Sequence, residues 1–210
     1  MSETPARGRF IVFEGIDGSG KSTQVELLAE RLRSQDHTVY LTRQPSDRTI
    51  GKLLRSILTG KERTDERAIA ALFLADRIDH ITAVEDGLIA RLERGETVIC
   101  DRYYFSSLAY NSLKIPMDWV LTLHQPVFEL LRPDLTLFLD LPVEESLRRI
   151  RENRADTEHY EKLDTLIQVR ENYMTAFRRR EVQENIQVVN AHRTVEEIAA
   201  DIREIVDELA

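Results

Sequence analysis

The sequence predicts an α/β fold, a doubly wound five-stranded parallel sheet with helices on both faces. Three observations predict it. Apolar runs of strand length recur along the 210 residues, and amphipathic segments of helix length separate them. The first run leads directly into a glycine-rich loop and then a helical pattern. Alternation of this kind buries the strands between two helical layers and leaves ligands to the carboxyl ends of the strands.

The first strand is expected at Phe10–Glu14, and the loop Gly15-Ile16-Asp17-Gly18-Ser19-Gly20-Lys21-Ser22-Thr23 follows it. A helix over Ser22–Ser34 then places Val25, Leu28 and Leu32 on one face. Val39–Thr42 reads as the second strand and Ile50–Leu58 as the next helix. A long helical stretch covers Asp65–Arg94, in one piece or two. Thr97–Asp101 is the third strand, after which Pro116 and Pro126 bracket a helical segment holding Trp119 and Leu123. The fourth strand is Leu135–Asp140, followed by helices over Glu144–Asn153 and Asp164–Arg180. Gln187–Asn190 is the fifth strand. The last helix opens with the capping box Thr194-x-x-Glu197 and aligns Ile198, Ile202, Ile205 and Leu209. No repeat or low-complexity segment interrupts this order, so a single domain over residues 1–210 is expected.

Composition excludes several classes. No apolar run approaches the ~18 residues of a membrane span, and Met1–Arg9 is polar with no apolar signal segment. The single cysteine, Cys100, rules out an intrachain disulfide and a cysteine-based zinc site, and reads as a small core residue. The histidines, His80 and His124 among them, show no metal-ligand spacing. A cytoplasmic protein is expected. The net charge of −8 argues against binding to a nucleic acid backbone, so anion-binding cations must be gathered locally.

Residues 15–22 fit GxxxxGK[ST] with a strand before and a helix after, which predicts a pocket for the β- and γ-phosphates of a nucleotide. The glycines turn the backbone so that its N–H groups point inward, and the helix N-terminus faces the anion. Lys21 would reach the β- and γ-phosphate oxygens, and the Ser22 hydroxyl would sit on Mg²⁺.

Three arginines stand where a second phosphate could be gripped. Arg43 and Arg102 end the second and third strands, and Arg77 lies four residues after Phe73, on one helix face. A ring beside a guanidinium suits a stacked base. No acid follows the second strand, which ends in Arg43-Gln44. A hydroxyl acceptor would need a general base there, whereas a phosphate acceptor needs only cations. Asp17 or Asp101 remains available as a base, and Asp140 reads as structural.

The chain resembles the thymidylate kinases, its spacing being most similar to archaeal members. The resemblance rests on Phe13–Gln24, Arg43-Gln44-Pro45, Ile50–Leu54, Leu72–Arg77, Asp101-Arg102-Tyr103, Ser106–Tyr110 and Arg132–Asp140. It implies a P-loop kinase fold with a short lid at about residues 150–162, phosphorylation of dTMP by ATP with Mg²⁺, and a homodimer. It implies that Gly15 to Thr23 and Arg149 bind ATP, Arg149 by stacking on adenine. Phe73 would stack on thymine and Arg77 would meet the base edge, with Ser107 a further polar contact. Arg43 and Arg102 would hold the dTMP phosphate, Asp17 the 3′-hydroxyl, and Tyr110 the face of the deoxyribose. Asp101 would help Ser22 with Mg²⁺. Gly18 stands where some members carry an arginine that assists transfer, so the lid would supply Arg151 or Arg154. Gln44 and Asn190 replace acids common at their positions. A kinase for another nucleotide or nucleoside, and a non-catalytic ATP-binding module, remain the alternatives.

Overall fold

A computed structural model describes residues 6–153 and 160–209. Five strands form one sheet in the order β2-β3-β1-β4-β5, every pair parallel: β1 Phe10–Glu14, β2 Val39–Arg43, β3 Thr97–Asp101, β4 Leu135–Asp140 and β5 Ile186–Asn190. Each expected strand is present. The expectation of uniformly buried strands is corrected at the margins. β1, β3 and β4 are buried, but β2 is largely half-exposed and β5 mostly exposed, because each is an edge strand with one neighbour.

The helices are α1 Lys21–Ser34, α2 Thr49–Leu58, α3 Glu66–Thr82, α4 Leu88–Glu93, α5 Tyr104–Tyr110, α6 Met117–Leu130, α7 Val143–Asn153, α8 Tyr160–Arg180 and α9 Val195–Asp207. The long stretch over 65–94 falls into two, α3 and α4. A Cβ on Gly87 would stand 2.3 Å from the Ala83 carbonyl oxygen, so the tight turn between them requires glycine. Pro126 does not end α6, which continues through it to Leu130. α5 has no counterpart among the expected elements, since its seven residues are too short to show helical periodicity. The capping box of α9 forms as its sequence predicts.

Alternate side chains of the central strands point to opposite faces, and each face has its own core. Phe10, Val12, Val98, Cys100 and Phe138 pack with Ala70, Leu88, Phe105, Val120, Val169 and Phe177. Ile11, Phe13, Ile99, Leu137 and Leu139 pack with Val25, Leu28, Ile198 and Ile202. Cys100 is fully buried. The first face thus rests on α3 to α8, and the second on α1 and α9.

Candidate active site

The loop after β1 is built by its glycines. Gly15, Gly18 and Gly20 have φ of 150°, 76° and 91°. At Gly15 a Cβ would meet Leu139 O at 2.9 Å, and at Gly18 it would meet Ser146 O at 2.9 Å. The same stretch of α7 closes on the loop by a hydrogen bond, Ser146 Oγ donating to Asp17 O at 2.6 Å. Lys21 turns back into the loop and donates to the carbonyls of Gly15 and Ile16, each at 3.0 Å. Burial, reinforced by the neighbouring Arg102 charge, lowers its ammonium to a pKa of about 8.

Ser22, the second residue of α1, donates its hydroxyl to Asp101 Oδ2 at 3.2 Å. The other carboxylate oxygen of Asp101 is buried with no hydrogen-bond partner among the described residues. One hydroxyl and one unsatisfied carboxylate oxygen at a phosphate loop are hard donors suited to Mg²⁺. Among the described residues no cluster of three metal-ligating side chains exists, so phosphate and water would complete such a shell.

A cleft of about 540 Å³ runs over the loop, lined by Asp17 to Gln24, Asp101, Arg102, Arg149, Glu152 and Arg193 among others. Arg149 donates to Glu145 at 2.8 Å and to Ala191 O at 3.3 Å, which joins α7 to the loop after β5. Arg151 is exposed near the end of α7. Arg154 and the centre of the expected lid lie outside the described residues.

Arg102 faces this cleft. It donates to Asp17 Oδ1 at 2.5 Å and to Ser106 Oγ at 3.2 Å, and stands 5.1 Å from the Tyr110 ring centroid. Its backbone is left-handed at φ 72°. Two groups hold it there. Arg102 N donates to Phe13 O at 2.9 Å, and Tyr103 N donates to Glu14 Oε1 at 2.8 Å. Glu14 also accepts from Ser106 N, Ser106 Oγ and Tyr173 OH, at 3.1, 2.6 and 2.9 Å. Burial raises the Glu14 pKa, against the hydrogen bond from Ser106 and the charge of Arg102. The sequence reading passed over Glu14 and Tyr173. A carboxylate closing an otherwise apolar strand was the available signal for Glu14, while Tyr173 gave none.

Arg77 is 1% exposed. It donates to Gln44 Oε1 at 2.5 Å, to Ser107 Oγ at 3.2 Å and to Tyr103 O at 3.0 Å. Phe73, one turn earlier on α3, is half-buried and belongs to neither core. Arg43 is the outlier: its side chain is 65% exposed and pairs with Asp47 at 3.2 Å. It lines a second cleft of about 480 Å³ with Ser22, Asp101 and His80. Asp140 is held by Arg170 through two bonds of 2.7 Å, in keeping with a structural role.

A phosphate loop at the centre of a parallel sheet, facing strand-end arginines, defines a P-loop enzyme of the nucleoside monophosphate kinase class. The family described as thymidylate kinase matches residues 13–202. Proteins named probable thymidylate kinase are similar along almost their whole length. That of Pyrococcus horikoshii is 40% identical over 93% of this chain and 94% of its own. That of Pyrococcus abyssi is 41% identical over 93% and 94%, and that of Thermococcus gammatolerans 40% identical over 96% and 97%. The chain belongs to the thymidylate kinase family.

Proposed function

We propose that this chain transfers the γ-phosphoryl group of ATP to the phosphate of dTMP, giving dTDP and ADP. The observation that carries the proposal is the meeting of two anion sites in one cleft. Arg102, from the end of β3, reaches Asp17 of the phosphate loop at 2.5 Å, so a second phosphate held by Arg102 lies beside the first.

ATP is held by the backbone N–H groups of Gly15 to Thr23 and by Lys21, with adenine against Arg149. Ser22 and Asp101 are the residues that would hold Mg²⁺, which supplies charge neutralisation along the phosphates when bound. On the acceptor side Phe73 stacks on thymine, and Arg77 with Ser107 meets the base edge. Arg43 and Arg102 take the phosphate, and Arg43 must leave Asp47 to do so. Asp17 takes the 3′-hydroxyl and Tyr110 underlies the sugar. Transfer is in line: the acceptor phosphate oxygen forms the new P–O bond as the bond to the ADP oxygen breaks. Lys21, Arg102 and a lid cation, Arg151 or Arg154, stabilise the charge that develops. A lid at about 150–162 excludes water from a single domain over 1–210.

A cytoplasmic homodimer is part of this proposal. Leu53 and Leu58 on α2 and Trp119 on α6 are exposed and offer apolar surface for a second copy. Sedimentation at micromolar concentration should give twice the chain mass. Among the described residues no helix is long and apolar enough to cross a membrane.

The deciding experiment measures ADP release from Mg-ATP with dTMP, dUMP, UMP, dCMP, dGMP and thymidine offered separately. Release should be fastest with dTMP. Release only with another acceptor would remove the base assignments, and none with any acceptor would favour an ATP-binding module.

A further inference from the structure

Arg77 is a buried cation with no ion-pair partner among the described residues. Among the described residues no carboxylate stands within ion-pair distance, and its donors end on the Gln44 amide, the Ser107 hydroxyl and the Tyr103 carbonyl. A desolvated guanidinium held only by neutral acceptors depends on every one of them.

That dependence fixes the direction of a longer relay. A guanidinium cannot accept, so the Gln44 atom 2.5 Å from Arg77 Nε is the amide oxygen. The amide nitrogen then faces His80 Nδ1 at 3.5 Å, and this ring nitrogen must carry the lone pair. The ring proton sits on Nε2, which donates to Thr42 Oγ1 at 3.1 Å. Burial keeps the imidazole neutral by lowering its pKa to about 4, and the charges around it are Asp76, Arg48, Asp86 and Arg77. The two orientations of a glutamine amide have nearly the same shape. Reversal would turn an NH₂ group against the guanidinium. Within the relay both ends of the amide distinguish the two, Arg77 by requiring the oxygen and His80 Nδ1 by receiving the NH₂ group.

We propose that His80 is a positioning residue of the acceptor site: its Nδ1 lone pair locks the Gln44 amide with the oxygen toward Arg77, and so holds the guanidinium where it meets the base. A carboxylate at position 44 would need no lock, because both its oxygens accept. The inference rests on Arg77 contacting the acceptor base, as set out above.

The test compares His80→Leu, His80→Asn, Gln44→Glu, the double variant Gln44→Glu with His80→Leu, and Arg77→Met. Steady-state constants and denaturant unfolding are measured for each. His80→Leu should raise the KM for dTMP about tenfold or more while the KM for ATP stays within about twofold. His80→Asn, whose amide oxygen can stand in for Nδ1, should remain within about threefold of the parent. In the Gln44→Glu background, His80→Leu should change the KM for dTMP by less than about twofold. Equal impairment by Asn and Leu, or an equal His80→Leu penalty in both backgrounds, overturns the lock. If Arg77→Met leaves the KM for dTMP unchanged, the base assignment of Arg77 fails instead. The lock is then judged by unfolding alone: the stability lost on His80→Leu must shrink in the Gln44→Glu background, and an undiminished loss rejects it. Should His80→Leu not fold, His80→Gln replaces it, since it also lacks an acceptor at the Nδ1 position.

Discussion

Arg102 Nη2 lies 2.5 Å from Asp17 Oδ1, so the cation at the end of β3 is bound to the phosphate loop before any substrate arrives. The same arginine carries a left-handed backbone, φ 72°, that L side chains adopt at a cost. Side chain and backbone can therefore be separated. Arg102→Ala and Arg102→Gly should both raise the KM for dTMP by about tenfold or more, through loss of the guanidinium. Arg102→Gly should be the more stable of the two by about 0.5–1 kcal/mol, because glycine relieves the strain. Calorimetric unfolding that ranks alanine above glycine would contradict the strained backbone.

If Lys21 holds ATP as proposed, ATP binding should be coupled to pH. Its native pKa of about 8 lies below the unfolded value of 10.5. Between those limits the unfolded chain holds more protons, so this group makes the ligand-free protein more stable as pH rises through that window. Bound phosphates favour the ammonium and draw a proton on. The Kd for ATP should weaken as pH rises past about 8, with proton uptake visible by calorimetry in buffers of different ionisation enthalpy. A Kd that is level from about pH 7 to about pH 9 would show that Lys21 is not depressed.

Two buried histidines set the acid limit. Burial lowers His80 to about 4 and His124 to about 3, from 6.5. His124 Nδ1 donates to Val120 O at 3.0 Å, which leaves Nε2 a buried acceptor with no partner among the described residues. Neutral burial of both contributes stability that is complete above pH 6.5 and is lost as pH falls toward their native values. Denaturant midpoints should fall steadily below about pH 6.5, and His124→Phe should flatten part of the slope. An unchanged slope in that variant would exclude His124 as a source.

Glu14 should be intolerant of truncation. It accepts from two backbone amides and two hydroxyls in a fully buried position. Glu14→Ala strands both backbone amides and leaves the two hydroxyls only each other, at 2.8 Å, and should cost about 3 kcal/mol or more. Glu14→Gln keeps an acceptor for the amides, and the hydroxyls can reorient, so its loss should be smaller. Equal losses in chemical denaturation would mean that the charge, rather than the hydrogen-bond count, is what matters.

Much of this was legible in the chain. The five strands announce themselves because apolar runs of that length have little alternative to a buried sheet, and Thr194 with Glu197 fixes the start of α9 chemically. The loop at Gly15–Ser22 is read from its own spacing. What stayed hidden depends on residues distant in sequence. α5 is held by Glu14, 92 residues before Ser106, and not by a periodic face of its own. Tyr173 reaches Glu14 across 159 positions, and no local pattern marks such a meeting. Arg77 is legible as a cation on the face of Phe73, but its lack of a counter-ion depends on Gln44 being neutral and on how that amide turns. Arg43 shows the opposite limit. Its strand-end position is correctly read, yet its side chain rests on Asp47, a partner four residues away that competes with any ligand.

The two faces of the sheet carry separate cores, with α3 to α8 on one and α1 and α9 on the other. Phe73, Arg77, Ser107 and Tyr110 all stand on elements of the first face, whereas the helix that opens at Lys21 packs on the second. The division is incomplete, because Ile16 of the phosphate loop and Val143 and Leu147 of α7 pack in the first core. Repacking the first layer would therefore reach the proposed acceptor residues and the phosphate loop together. A change of acceptor made from within that core would be filtered at each step by its effect on the loop that the proposed function gives to ATP.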